Sequence, residues 1–359
     1  MRKTKIAAVL LFIYILSLLF GNISVLAVSE SDYDACDVRI SSRIWELLFG
    51  KGDVTTEAEG KMTLCVGGDV FGAKIDAKYV SVSDAGKVRG VKNGDIIIKV
   101  NGKAVSSIEE IKKAVETSEG RSVTLTLLRD GAQTTVTVEP KLEDGVRKIG
   151  LGLRDGAAGI GTITFIDKET GVFGGLGHPI CDKDSGEIVN MQGGSVTEVV
   201  LGGVKKGASG APGELTGVLT DKTLGVLYKN CECGIFGRLD VAELEGLEEI
   251  EVGKKNEIVE GKAEIISTMK NGKTARFSVE IHDIDTSATG NKCFKIKVTD
   301  PALIAISGGI VRGMSGSPVI QNGKLVGAVT HVLVADPTEG YGIFIENMLS
   351  AAQTMPKAS

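Results

Sequence analysis

From Lys61 onward, glycines and Asn-Gly or Asp-Gly pairs cut the chain into apolar runs too short for long helices. Such runs fold as strands joined by tight turns, and their side chains reach a common core only through sheet pairing. Composition agrees: 48 glycines among 359 residues, abundant Val, Ile and Thr, and an aromatic content of 4% describe a β-rich protein. The expected fold class is mainly β, in a chain long enough for two domains with cores of their own.

The formal net charge is -5 and the sequence pI about 5.5, with Lys and Arg scattered rather than clustered. No basic face for a phosphate backbone is expected, so nucleic acid is excluded as a partner. At the N-terminus, Met1-Arg2-Lys3-Thr4-Lys5 precedes an uncharged, mostly apolar stretch from Ile6 to Val28. Residues 1–28 read as a signal peptide, with Val25-Leu26-Ala27 at the cleavage site, or as a retained N-terminal membrane anchor. Either way the rest of the chain is expected outside the cytoplasm, membrane-associated or secreted. Residues 29–60 are weakly patterned and read as a linker. The six cysteines fit no small stapled framework, which leaves their redox state open.

Between residues 61 and 141 the order is a short strand at Leu64–Val66, a loop from Gly67-Gly68 to Gly72, and a strand near Val80–Val82. Then come Gly94-Asp95-Ile96-Ile97-Ile98-Lys99-Val100-Asn101-Gly102, a helix over Ser107–Thr117 capped by serine, and two strands around Asp130-Gly131. This order and the Gly94–Gly102 string resemble a PDZ domain of the bacterial protease type. The resemblance implies that Gly67, Gly68 and Gly72 belong to a loop whose N–H groups receive the carboxylate of a peptide or protein C-terminus. The plainer reading is that these glycines only turn a corner.

Residues 145–355 form a larger unit of short strands, including 160–167, 172–175, 261–268, 274–281, 294–298, 318–321 and 325–331. Their spacing suits one closed barrel or a pair of them. The strongest chemical signal is Gly313-Met314-Ser315-Gly316-Ser317-Pro318, ahead of an apolar run, an Asn322-Gly323 turn and a second run ending at His331. A nucleophilic serine needs a sharp turn that aims its hydroxyl outward and leaves N–H groups free for an oxyanion, and flanking glycines permit that backbone. A surface turn of small residues is the bland alternative. Of three histidines, His178 follows a strand in a glycine-rich loop and is favoured as a base over His331, while His282 alternates toward solvent. Asp300, before Pro301, reads first as a helix N-cap. His178-x-x-Cys181 with Cys231-x-Cys233 offers a rival set of zinc ligands.

Several motifs in one order resemble the stage IV sporulation protein B peptidase family: Gly175-Leu176-Gly177-His178, Gly210-Ala211-Pro212-Gly213, Gly234-Ile235-Phe236-Gly237, Val298-Thr299-Asp300-Pro301, the Gly308–Pro318 string and Gly327-Ala328-Val329-Thr330-His331. The resemblance implies a trypsin-like double β-barrel peptidase, working without metal or organic cofactor. In it Ser315 is the nucleophile, His178 the general base and Asp300 the orienting acid, with Gly313 and Ser315 N–H groups as the oxyanion hole. It also implies a sporulation signalling role in the forespore intermembrane space. There such an enzyme self-cleaves, which asks for self-association, and cuts a protein substrate at the membrane surface, a regulator of an intramembrane protease. Met314 stands where trypsin-like zymogens carry an aspartate, so activation through that ion pair is not expected. The alternatives are a non-catalytic PDZ peptide-binding scaffold and a general HtrA-like extracytoplasmic protease. Removing residues 61–141 is expected to impair targeting or self-processing more than the geometry of the triad.

Overall fold

The computed structural model describes residues 62–240, 244–269 and 272–353, all within one compact unit; the export segment and the linker lie outside the described residues. The chain opens with β1 (Thr63–Val66) and the 15-residue β2 (Val70–Asp84). It continues through β3 (Ile96–Val100), β4 (Lys103–Ala104), α1 (Ile108–Thr117), β5 (Val123–Arg129), β6 (Ala132–Val138), β7 (Lys141–Glu143) and β8 (Val146–Lys148). Next come β9 (Gly152–Ile166), β10 (Val172–Gly175), β11 (Met191–Lys205), β12 (Glu214–Cys231) and β13 (Gly234–Leu239). The last part is β14 (Glu249–Val252), β15 (Gly261–Thr268), β16 (Thr274–His282), β17 (Phe294–Val298), α2 (Pro301–Ser307), β18 (Pro318–Gln321), β19 (Lys324–Leu333), β20 (Asp336–Phe344) and α3 (Ile345–Gln353).

Two closed cycles of antiparallel pairing follow from the register. In the first, β2 pairs with β9, β9 with β10, β10 with β13, β13 with β12, β12 with β11, and β11 returns to β2. In the second, β15 pairs with β16, β16 with β17, β17 with β20, β20 with β19, β19 with β18, and β18 returns to β15. Closure removes the sheet edges and gives each cycle its own interior. Phe71, Ile163, Phe173, Val196 and Ile235 fill the first core, while Ile265, Phe294, Ile296, Val319, Val329 and Phe344 fill the second. The mainly β, double-barrel expectation is met. Among the described residues no helix is long and apolar enough to cross a membrane.

The PDZ-like unit is an insertion into the first barrel, which moves its expected start. Cys65, Phe71, Ala73 and Ile75 are buried in the first core, and Leu64 and Val66 in the second, so residues 64 to about 77 are barrel. The separate core of the inserted unit begins at Val80 and Val82 and ends with Ile149, packed around Ile97, Ile111 and Leu125. Both boundary strands cross between the two bodies: β2 pairs with β9 at Lys74↔Ala158 in the barrel and at Val82↔Leu153 in the insert. Removing residues 61–141 would therefore delete two barrel strands along with the insert, which overturns the expectation attached to that cut.

Local signals explain most elements. Ser107 caps α1 by accepting the Glu110 N–H, and the helix buries Ile111 and Val115. Asn322 and Gly323, with φ of 51° and 74°, supply the left-handed pair that a two-residue hairpin turn needs, which fixes the β18–β19 register behind the serine.

Candidate active site

Ser315 sits at the junction of the two cores, on a loop held by four hydrogen bonds from three residues of β9 and β19. From β9, the Thr162 N–H donates to Ser315 O (2.8 Å), the Thr162 hydroxyl to Gly313 O (2.8 Å) and the Thr164 hydroxyl to Gly316 O (2.7 Å). From β19, Val329 O accepts the Gly316 N–H at 2.7 Å. Gly316 has φ of 94°, and a Cβ there would lie 2.0 Å from Thr162 O and 2.5 Å from Leu176 N, so only glycine fits between serine loop and histidine loop. Met314 is fully buried in the second core, an apolar anchor for the loop in place of an ion pair. Among the described residues, the N–H groups of Gly313 and Ser315 have no hydrogen-bond acceptor. Two unpaired donors beside a serine are what a developing oxyanion requires.

His178 stands at the same junction. Leu176 and Gly177 take left-handed φ of 63° and 66°, which turns the chain sharply out of β10 and sets the ring 5.0 Å, centroid to centroid, from that of His331. Burial holds its pKa below the ordinary histidine value, against the opposing effects of Pro179 O and the Glu232 charge. His178 Nδ1 lies 2.8 Å from Pro179 O, the geometry of a tautomer that donates there and leaves Nε2 as the basic nitrogen. For His331, burial, His178 and Lys292 push the pKa down to about 4, and its Nδ1 is buried without a partner. Both rings are neutral at pH 7. Ser315 Oγ donates to Thr330 O at 2.9 Å rather than to a ring nitrogen, so the nucleophile–base hydrogen bond is not made in this arrangement.

Asp300 is not brought to His178. One of its oxygens caps α2 through the N–H groups of Ala302 (2.8 Å) and Leu303 (3.2 Å), and the other accepts the Ser278 N–H (3.2 Å) on β16. Burial alone would raise its pKa, but these N–H donations outweigh it and hold the carboxyl below its ordinary value. The helix cap takes one carboxylate oxygen and a tie to β16 takes the other. Asp300→Ala is expected to cost about 1 kcal/mol of stability through loss of the cap, read as a lower denaturant midpoint, with activity per folded molecule largely kept. The cap contribution fades as pH falls through the depressed pKa, below the ordinary carboxylate range.

The glycines expected to receive a peptide carboxylate are elsewhere as well. The Gly67 N–H donates to Thr164 O (3.0 Å) and the Gly68 N–H to Ile163 O (2.8 Å), while Gly72 lies inside β2 between Ile160 and Thr197. These N–H groups are used by the barrel, so the corner-turning reading holds. A groove of about 680 Å³ instead lies between α1 and residues 146–153, with Ile108, Ile111 and Val115 facing Ile149, Leu151 and Leu153. Among the described residues the N–H groups of Ile149, Gly150 and Leu151 have no acceptor, and Gly150 takes φ of 71°. Leu153 then enters β9, the strand that holds the serine loop.

The five described cysteines are free thiols, and among the described residues no three His, Cys, Asp or Glu side chains are arranged to hold a metal ion. Thr162, Thr164, Thr330, Asn291 and Glu232 surround the site without any short motif to announce them. Their roles depend on pairings dozens of residues apart.

Two β-barrels meet at a serine, open backbone donors and a neutral histidine, and the first barrel carries a PDZ-like insert. The chain belongs to the SpoIVB peptidase S55 family, whose model matches residues 145–349, and a PDZ domain model matches residues 88–129. A curated relative, "Putative zinc metalloprotease R01501" of Rhizobium meliloti (strain 1021), is 25% identical over 84 residues, 23% of this chain and 22% of its own length. The chain thus spans about a fifth of that relative. Among solved structures, the HtrA-type protease AlgW with tripeptide is 13% identical with a TM-score of 0.33, covering 55% of this chain and 56% of that one. The Rv3671c protease from M. tuberculosis in its active form is 12% identical with a TM-score of 0.31, covering 71% and 89%.

Proposed function

We propose that this chain is an exported serine endopeptidase of sporulation signalling. It cleaves itself and then a protein substrate at the membrane surface, a regulator of an intramembrane protease, in the space between the two forespore membranes. Family membership supports the pathway, and the unpaired Gly313 and Ser315 donors beside Ser315 carry the chemistry. In the reaction Ser315 Oγ adds to the scissile carbonyl carbon while His178 takes its proton; the oxyanion rests on the two N–H groups, and the proton passes to the leaving amine as the C–N bond breaks. Water then repeats the cycle on the acyl-enzyme. No cofactor enters these steps.

The PDZ-like insert is read as the receptor for a peptide or protein C-terminus, held in the groove between α1 and residues 146–153 with the carboxylate on the Ile149–Leu151 N–H groups. Through β9, that groove and the serine loop share one strand. Because Asp76 pairs with Gly156, replacing residues 78–154 by Asn-Gly would close β2 onto β9 as a hairpin and keep the barrels, Ala77 included. Such a protein is expected to react at Ser315 with a fluorophosphonate while cutting its protein target and itself more slowly. Peptide mapping of the modified residue and gel analysis of self-cleavage read the two outcomes. Target cleavage at the parent rate would remove the receptor role.

The scaffold reading draws on one observation, the Ser315 hydroxyl being tied to Thr330 O instead of a base. Fluorophosphonate labelling separates the two, since an inert scaffold leaves Ser315 unmodified.

A further inference from the structure

β9 carries a length of open sheet edge that leads from the insert toward the loop of His178. From Gly152 to Ala158 it pairs with β2 on one side, while its pairings with β10 and β1 begin only at Ile163 and Phe165. Among the described residues, no backbone N–H of residues 152–158 donates outside the β2 pairing. An unpaired edge of this kind accepts an added strand. Two hollows lie along it. The groove between α1 and residues 146–153 shares Ile108 and Leu153 with a crevice of about 490 Å³, so one continues into the other. The crevice has residues 153–158 of β9 as one wall and residues 180–183 as the other.

The second wall is the continuation of the histidine loop, and it is built before any ligand arrives. Ile180, two residues after His178, donates its N–H to Asn230 Oδ1 (2.9 Å), and its carbonyl accepts from Asn230 Nδ2 (2.8 Å). Asp182 is buried, and its Oδ1 closes the next turn by accepting the N–H groups of Asp184 (2.9 Å) and Ser185 (3.0 Å). Arg154 of the edge strand ties that turn down, with Nη1 3.0 Å from Asp184 Oδ2 and 3.7 Å from Asp182 Oδ2. On the strand side Gly156, Ala157 and Ala158 are small and leave room for a second backbone. Where groove passes into crevice, Asp155 Oδ2 accepts the Ile108 N–H at 2.9 Å and holds the start of α1 over the strand.

We infer that the crevice is the second half of the peptide site: a C-terminal tail adds to β9 as a strand, its last residues in the groove and its upstream residues against the loop 180–183. The inference rests on the receptor reading of the insert and extends it to the barrel. With the carboxylate on the Ile149–Leu151 N–H groups, ahead of the open edge, each earlier residue of an antiparallel strand lies one position further along β9. Gly150 to Gly156 is about 20 Å of extended chain, so about the fifth to seventh residues from the end reach the crevice. The ligand class is therefore an extended tail of about seven residues with a free carboxylate, not a short terminal tag. Its apolar side chains alternate toward Ile108 and Ile111 in the groove and Ile180 in the crevice. Such a tail touches the loop that bears the base.

The crevice holds its own reporter, since Cys181 lines it as an exposed free thiol while the other described cysteines are buried or half-buried. Full-length Ser315→Ala protein is screened against bead-bound random octapeptides with free C-termini. The tightest binder is then remade with one cysteine at each position in turn, as a mixed disulfide with thionitrobenzoate. At about pH 8.5 the Cys181 thiolate attacks the peptide sulfur, the new S–S bond forms, thionitrobenzoate leaves and the thiol proton goes to solvent. Capture at Cys181, located by peptide mapping, is expected from a cysteine about five to seven residues from the end and not from the second. Cys181→Ser should abolish it. Cutting the peptide to its last four residues, or amidating its end, should each weaken binding about tenfold or more. Four residues binding as tightly as eight, or capture absent or independent of position, overturns the crevice assignment and leaves the receptor. No octapeptide retained, or an amide binding as tightly as the acid, overturns the receptor reading itself.

Discussion

Ser315→Ala is expected to abolish self-cleavage and to lower kcat/KM on any cleaved peptide by about 10⁴-fold or more, with stability changed by only about 1 kcal/mol. The asymmetry follows from the contacts. The hydroxyl makes one hydrogen bond, to Thr330 O on the adjoining strand, and its residue is only half buried. The loop itself is held by backbone and threonine bonds that alanine does not touch: Thr162 to Gly313 O and Ser315 O, Thr164 to Gly316 O, Gly316 to Val329 O. An inactive but folded variant is therefore the natural trap for substrate. The measurement pairs a peptide-cleavage assay with a denaturation curve. Cleavage at the parent rate by the folded variant would move the function to the PDZ-like insert alone. A variant that fails to fold would contradict the description of a loop held by its neighbours.

Much of this fold was legible because local chemistry and final structure agree. The strands at 172–175, 261–268, 294–298 and 318–321 coincide with the expected runs, since each is an apolar stretch closed by Gly, Asp or Asn. The Ser107 cap and the Asn322-Gly323 turn were equally plain, and Asp300 before Pro301 carried its cap in the sequence. What stayed hidden is non-local. β2 and β9 each run through two cores, and nothing in Val70–Asp84 marks the point where a barrel strand becomes part of the insert, because both environments bury alternate apolar residues. The hairpin of β11 and β12 was missed for a different reason. Its strands contain Gly193-Gly194, Gly202-Gly203 and Asp221-Lys222, and Val200 and Val218 are 59% and 70% exposed, so neither a buried run nor clean alternation signals it.

The site divides along the same line. Ser315 and its glycines form a motif because they are consecutive, and glycine is needed where Gly316 passes between Thr162 and Leu176. His178 was favoured over His331 from its glycine-rich loop, and both rings turn out to share the junction. The residues that hold them cannot form a motif. Thr162 reaches across 151 positions to Gly313, and Glu232 meets Asn291 across 59. An aspartate that caps a helix and one that completes a triad look alike in sequence, and in the structure two helix N–H groups on one oxygen and the Ser278 N–H on the other occupy Asp300 away from His178.

His178→Ala is expected to lower the rate of Ser315 modification and of peptide cleavage by about 10²- to 10⁴-fold, and His331→Gln by much less. Both rings are kept neutral by burial, and both chains of approach reach the serine turn: Leu176, two residues before His178, flanks Gly316, and Thr330, one residue before His331, accepts the Ser315 hydroxyl; His178 is taken as the base because its Nδ1 is held by Pro179 O, which leaves Nε2 basic. The pH profile follows from the sign of the shift. A base must be deprotonated, and burial sets the His178 pKa below 6.5, so activity falls as pH drops through that lowered value and is retained above it. Stability leans the same way. His331 takes up a proton near pH 6.5 when unfolded but only at about pH 4 when folded, so the native state loses stability as pH falls from 6.5 toward 4. His331→Gln removes that penalty and should flatten the stability curve over this window while His178 still sets the activity limb. If His331→Gln instead shifts the activity limb and His178→Ala does not, the base is on β19, and the 5.0 Å pair of rings works in the opposite order.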